Sequence, residues 1–558
     1  MDFVICAGVA FAESLLLKRA PASLFGEVRG STTSQTALTL FFLQYLVVKY
    51  YRIVAYPKYV SPLRHVPGPT DNHPLIGQAL NLIIAKTPTE LYIKWMRQYP
   101  DAPFIRYLTW ANTEVLVPNN LNAHREVLQT QCYSFTKPNW FLRLVKEVAG
   151  HGLILMEGDE HRAHRRMLAG PFSLKNIRKL EPIFQEKAKD ICRYFDQSIA
   201  EGDGKRGAID CTTTFSKAIL DIMGSAILGL DLNYVKPGET SDDVSTQANN
   251  SNLKPGCTFH EAYDVFFAPD TMGKILLVVN GIMPVRWLPL QANREFLHAM
   301  GWLNDVLRTL IRDRYKQVSE SKAKNEYESK DSRDLVTFIV EENLTGGVTE
   351  GMGEEEFLGH LLEFMAAGHD TSANMLSWSL YVLATNQDIQ EKLRNEVKTL
   401  PDSPSYTELD KLSYLENFCK EILRLYSPST TYQRGAEHDV VVEGVHIPKG
   451  TLLDLCPSVT LLNPLIWGES VDEVDPDRWD SLEGDQTSLY TFSAFSNGPK
   501  ICIGKLFAMF EIKTILAEMV RNFKFVEVAK PFAIENPGFT LRPAGLEVRL
   551  ERLKGRDV

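Results

Sequence analysis

The chain has eight cysteines, at 6, 132, 192, 211, 257, 419, 456 and 502, and no two of them form a CxxC pair. That absence excludes a zinc knuckle and a thioredoxin-like redox centre. Cysteines scattered through 558 residues fit a reducing compartment better than a disulfide framework, and most read as plain buried thiols. There is no basic excess either. Sixty Lys and Arg against 70 Asp and Glu leave a formal net charge of −10, which argues against a general nucleic-acid-binding protein. Nor is there an internal repeat, so stacked-repeat architectures have no support. The remainder, 44% hydrophobic and 23% charged, is ordinary globular composition.

Long apolar runs are confined to the N-terminus. Phe3 to Ala12 is short and is followed by Glu13, Leu15, Leu16 and Leu17 before Lys18 and Arg19. Ser31 to Val48 carries no charge and, extended over 31–51, reaches the ~20 residues that a membrane span needs. Lys49, Arg52, Lys58 and Arg64 follow it, and such a positive cluster marks the cytosolic flank. A cleaved signal peptide fits poorly, because its apolar region should lie near the start and end in small residues. Residues 1–56 therefore read as a membrane anchor, the alternative being two amphipathic or core helices. The prolines of 57–70 read as a stiff, extended link. Residues 71–558 read as one catalytic domain in the cytosol, where the sequons at Asn249 and Asn343 would go unused.

Within that domain the patterning is mainly α with small β-sheets. The run PFIRYLTWANTEVLVP, Pro103 to Pro118, predicts a strand hairpin. From Arg162 to Gly353 the pattern is mostly helical, broken by a polar loop at 241–256 and a charged stretch at 319–333. Glu354 to about Ala384 predicts one long helix whose acidic first turn suits the helix dipole. Val440 to Thr451 predicts a second hairpin turning at Glu443-Gly444, and Ile503 to Phe523 a last apolar helix.

The most informative segment is Phe495-Ser496-Asn497-Gly498-Pro499-Lys500-Ile501-Cys502-Ile503-Gly504. It sets a cysteine after a glycine-proline turn and just before a helix N-terminus, where backbone N–H groups and the dipole favour a thiolate. Gly498 permits the turn, Gly504 permits close approach of a flat cofactor, and Phe495 can shield the sulfur. Three further patterns precede it. Glu421 and Arg424 stand three apart on a helix, so they can pair. Val474-Asp475-Pro476-Asp477-Arg478-Trp479 follows, and Ala367-Gly368-His369-Asp370-Thr371 lies in the long helix. Alone, each has a plainer reading: a capping cysteine, a surface ion pair, a packing notch at Gly368 with His369 as a polar neighbour.

Taken in order, these segments resemble the cytochrome P-450 family, whose cysteine loop reads FxxGxxxCxG and whose oxygen-activation signature reads (A/G)Gx(D/E)T. The resemblance runs from the proline link onward and implies that family's fold. It implies haem b with Cys502 as axial thiolate, and Asp370 and Thr371 as the catalytic pair that delivers protons to dioxygen. Glu421, Arg424 and Arg478 would form a buried structural triad. The GDEHRAHRR segment is similar to the family's WxxxR helix, with His161 replacing tryptophan. It would supply His161 and Arg165 as cationic partners of the haem propionates, together with Arg434 and Lys500. Lys500 stands where arginine is usual and lacks its planar fork.

The resemblance further implies a monooxygenase using O2 and electrons from NADPH through a flavoprotein reductase docking near Arg162, Arg166 and Lys505. The substrate would be lipophilic, held among Trp140, Phe141, Phe364, Ala367, Ser429 to Tyr432, and Phe539. The AGHDT and HxxxR variants are similar to fungal microsomal members of secondary metabolism, which implies a terpenoid or polyketide substrate and the endoplasmic reticulum membrane. The alternatives are a haem-thiolate isomerase or dehydratase of hydroperoxides, a non-enzymatic haem sensor, and a haem-free membrane adaptor. The Asp370–Thr371 pair speaks against the first.

Overall fold

Thr32 opens the second apolar segment as a helix N-cap: its hydroxyl accepts from the Gln35 N–H, and the Gln35 side chain reaches back to the Thr32 N–H. The helix runs Thr33–Tyr50 and packs against a first helix, Asp2–Arg19. Asp2 meets Lys49 at 3.2 Å and Arg52 at 2.9 Å, so the start of one helix lies beside the end of the other in an antiparallel pair. The computed structural model describes residues 2–19, 32–202, 204–236, 257–323, 334–347 and 349–553. The polar loop at 241–256, with Asn249, and the charged stretch from 324 to 333 lie outside the described residues.

The link to the domain differs from the extended segment expected at Tyr56. Helical structure continues over Tyr51–Val60 with wide turns and includes Pro57. The chain becomes extended only at Ser61, whose hydroxyl caps the short turn Pro62–His65.

The domain is mainly helical with small sheets, as the patterning predicts. The hairpin strands Phe104–Leu108 and Glu114–Pro118 pair antiparallel, and Glu114–Pro118 then pairs in parallel with Leu452–Leu455. Tyr432–Ala436 and Phe135–Thr136 complete that five-stranded sheet. Val440–Val442 and Val445–Ile447 form the second expected hairpin, with Glu443 and Gly444 both at positive φ, the turn whose twist suits paired strands. Arg206–Asp210 is a strand inside the region read as helical; it pairs with Glu547–Arg552, which also pairs with Phe523–Val528.

The long helix runs Glu354–Thr385 and crosses the core, with 24 of its residues buried, so it is the rigid element against which the site is set. Its acidic first turn has a second use beyond the dipole: Glu354 pairs with Arg312 at 2.7 Å, and Glu355 with Arg308, on the neighbouring helix Gln291–Ala323. The last helix runs Lys505–Asn522, two residues later than the pattern suggests. All eight cysteines are free.

Candidate functional site

The cysteine loop is held by backbone contacts that its glycines and cap make possible. The Cys502 N–H donates to the Phe495 carbonyl at 2.9 Å, closing the loop. Gly498 has φ +72°, and a Cβ there would stand 2.1 Å from the Leu128 carbonyl oxygen, so no other residue fits. The Cys502 sulfur is open to an internal cavity. Burial raises the thiol pKa, while the Gly504 N–H and the Arg165 guanidinium pull it down.

That cavity has a volume of about 390 Å³ and two contrasting sides. Phe172, Phe364, Ala367, Ala494, Ile501 and Ile512 give it apolar walls, and Lys137, His161, Arg165, Arg434 and Lys500 line one part of it. Four of those five are cations. Glu157 is the carboxylate among them, accepting from Lys137 at 2.7 Å and from Lys500. The cluster of Lys137, Arg165, Arg434, Lys500 and Glu157 therefore carries four positive charges against one negative, a net +3 in a buried place. Arg434 is buried and its guanidinium donates to the Gln433 carbonyl at 3.0 Å, leaving donors to spare. Such a cluster requires an anionic guest with several acceptor oxygens. A flat macrocycle with two carboxylates on one edge fits both the apolar walls and this charge.

His161 does not join those cations. Its pKa is lowered to about 4, first by burial and then by Lys500, Lys137 and Arg165. It is a neutral imidazole whose Nδ1 lies 3.2 Å from the Tyr133 hydroxyl. Burial and the surrounding positive charge disfavour its cationic form, so the ring can donate or accept a hydrogen bond there. Lys137 and Glu157 were missed by sequence reading. No fixed spacing ties Lys137 to the cysteine loop, and their meeting with Lys500 is purely tertiary.

The triad comes together as expected. Glu421 and Arg424 are fully buried; Arg424 donates to both Glu421 oxygens at 2.8 and 2.9 Å, and Arg478 Nε donates at 3.0 Å. Two further donors complete the carboxylate, the Trp479 indole at 3.0 Å and the Asp475 N–H at 2.9 Å. Arg424 is also bound to the carbonyls of Leu461, Val471 and Glu473, so the pair fastens its helix, Ser413–Leu425, to the segment that leads into the cysteine loop.

Asp370 and Thr371 are adjacent in sequence but separate in contact. The Thr371 hydroxyl lines the cavity and donates back to the Ala367 carbonyl at 2.7 Å. Asp370 is buried and accepts from the Thr540 hydroxyl at 2.5 Å. Burial raises its pKa; Thr540 and Arg542 oppose that rise. Gly368 lines the cavity. A Cβ there would meet the Met223 methyl at 2.5 Å, so the missing side chain also makes a notch for the neighbouring helix Cys211–Met223. His369 is buried away from the cavity with Nε2 2.8 Å from the Ser216 hydroxyl, a polar packing contact and no metal ligand.

Two buried carboxylates were not anticipated. Glu363 lines the cavity, accepts from the Ile154 N–H at 2.9 Å, and is pushed up to about 8 by burial. Glu511, on the last helix, is raised to about 8 for the same reason, with Ser372 acting weakly against it and neither oxygen well placed for a close hydrogen bond. The folded chain thus holds the Glu511 proton more tightly than the unfolded chain does. Its contribution to stability is full below the ordinary glutamate pKa of about 4.3 and is lost as pH rises through about 8. Glu511→Gln keeps the shape and removes the titration. It is expected to leave the melting temperature little changed at pH 5 and to gain stability on the order of a few kcal/mol at pH 9; parallel melting curves for both proteins across that range would contradict it.

The cytochrome P450 family model matches residues 66–550. The cytochrome P450 monooxygenase sphH of Aspergillus fumigatus is 27% identical over 548 residues, covering 95% of this chain and 94% of that protein. The cytochrome P450 monooxygenase FSL4 of Gibberella zeae is 27% identical over 508 residues, covering 88% and 86%. FUM15 of Gibberella moniliformis, also a cytochrome P450 monooxygenase, is 28% identical over 530 residues, covering 85% and 84%.

Proposed function

This chain belongs to the cytochrome P450 family, and from that premise we propose that it is a membrane-anchored haem-thiolate monooxygenase. It would insert one oxygen atom from O2 into a lipophilic substrate, a terpenoid or polyketide intermediate of fungal secondary metabolism. Electrons would come from NADPH through a flavoprotein reductase. The observation that carries the reading is one cavity with the Cys502 sulfur on its wall, apolar sides and a buried net charge of +3. Bound there, haem supplies the reductive activation of dioxygen, favoured by electron donation from the thiolate.

The chain's own residues do the rest. Cys502 would hold the iron, with Phe495 beside it and Gly504 leaving the approach open. Arg165, Arg434, Lys500 and Lys137 would hold the propionates, with Glu157 released from its two lysines as the carboxylates arrive; His161 would add a neutral donor. Thr371 would present a hydroxyl proton in the cavity, and Asp370 would be the acid behind it, resupplying protons once its carboxyl turns away from Thr540. Exposed Arg162 and Arg166, with Lys505 beside the loop, would steer an acidic reductase surface. A reduced, carbon-monoxide-bound difference spectrum should show the thiolate band, and product oxygen should derive from O2 only with NADPH and reductase present. A histidine-type band, or turnover without NADPH, would defeat the reading.

The anchor would be the helical pair, with the catalytic domain in the cytosol at the endoplasmic reticulum. Each helix has 18 residues, about 27 Å, close to the hydrocarbon thickness. Cys6, Ala10, Ser14 and Thr36 are buried between the helices, where small residues let backbones approach, while Phe11, Leu16, Phe42, Leu43 and Leu46 face outward. Both helices would then cross, leaving the N-terminus on the cytosolic side. A glycosylation acceptor on a long loop inserted between residues 25 and 26 is expected to be modified, and one fused to the N-terminus is not. Modification of both acceptors would mean a single span, the second helix, with the first helix on the lumenal side.

A further inference from the structure

A second cavity, of about 640 Å³, meets the first at Phe141 and Tyr432, which line both. It lies between helix Thr271–Ile282, the tip of the Phe104–Pro118 hairpin and residues 535–542. Its walls are largely aromatic: Trp110, Trp140, Phe267, and Phe266 stacked on Phe539 with ring centres 5.2 Å apart.

Five charged side chains interrupt those walls: Arg143, Lys274, Asp454, Glu535 and Arg542. Three cations and two carboxylates leave a net +1. Asp454 is satisfied by the Tyr92 hydroxyl at 2.7 Å, the Gln433 amide at 2.6 Å and Tyr107. Glu535 is engaged by Lys274 at 2.5 Å. Arg542 is different. Its nearest carboxylate is Glu535 at 3.9 Å, beyond hydrogen-bond reach, and it is only 15% exposed. A largely desolvated guanidinium without a close carboxylate has unused donors in a fixed planar fork, the geometry that matches a carboxylate in two parallel bonds. Asp370 does not fill that role, since Thr540 already holds it.

We propose that Arg542 anchors the carboxylate of an amphipathic acid, whose apolar body lies along Phe539 and Phe141 and enters the cavity of Cys502. The inference rests on that cavity being the reaction site, and it narrows the substrate to lipophilic acids. Arg542 is a specificity-determining residue in this role, because it fixes one end of the molecule and thereby which carbon reaches the reaction site.

The test uses the full-length holoenzyme and isothermal titration calorimetry, with dodecanoic and farnesoic acids and their methyl esters as probes. The acids are expected to bind about ten-fold tighter than the esters, the size of a charge-assisted hydrogen bond. Arg542→Gln should bring acid affinity down to that of the ester and leave ester affinity unchanged, and Arg542→Lys should restore part of the difference. Equal binding of acids and esters to the wild-type protein, or an equal loss for both in Arg542→Gln, would overturn the proposal and leave Arg542 as a balancing charge for Asp370 and Glu535. The carbon-monoxide spectrum of the same preparations separates the two levels: a thiolate band without acid preference defeats only the Arg542 inference, and a missing band defeats the function itself.

Discussion

Cys502→Ser is expected to abolish the thiolate band of the carbon-monoxide spectrum and to reduce NADPH-dependent oxygenation to background, while the chain still folds. The loop is closed by the Cys502 N–H on the Phe495 carbonyl and by Gly498 against Leu128, contacts that a serine leaves untouched. The side chain itself is open to the cavity and carries no packing that the core needs. Serine keeps the size and shape but has a far more basic oxygen, so the electron donation that favours O–O cleavage is lost. Absorbance spectra with and without carbon monoxide, alongside a melting curve, separate the two effects. A serine variant that retained the thiolate band would show that another cysteine is the ligand.

The second large effect is structural. Glu421→Ala should destabilise the fold by about 3–5 kcal/mol, because it leaves Arg424 charged and buried without its partner. The loss does not end with one pair. Glu421 also holds Arg478, the Trp479 indole and the Asp475 N–H, so the segment leading to the cysteine loop loses its fastening at three points. Reduced yield, a lower melting temperature and poor haem retention are expected together. Arg478→Lys makes the milder comparison: its parent is partly accessible and retains other contacts to Ser470 and Glu473. Near-equal melting temperatures for Glu421→Ala and the parent chain would mean that the triad is not a structural joint.

Much of this was legible because the chemistry depends on residues near one another in the chain. The loop from Phe495 to Gly504 needs a turn, a thiol and a helix start in a row, and the Glu421–Arg424 pair needs one helical turn. The hairpins and the long helix likewise follow from local periodicity, which fixes where apolar side chains face. The strand Arg206–Asp210 was not legible, since its partner Glu547–Arg552 lies more than three hundred residues away. Nor was the continued helix through Pro57, where the proline's preference yields to the adjacent helix end.

The sequence by itself determined the family resemblance, the cysteine, the ordered motifs and the mainly helical plan, because these rest on spacing along the backbone. The tertiary structure alone decided the electrostatics. It set His161 among cations that lower its pKa, and it brought Lys137 and Glu157 into the charged cluster. It also separated Asp370 from Thr371 by giving the carboxylate to Thr540, and it left Arg542 facing an aromatic cavity without a close partner. The reason is physical: charge state and pairing depend on burial and on neighbours in space, and neither is a property of a residue's place in the chain.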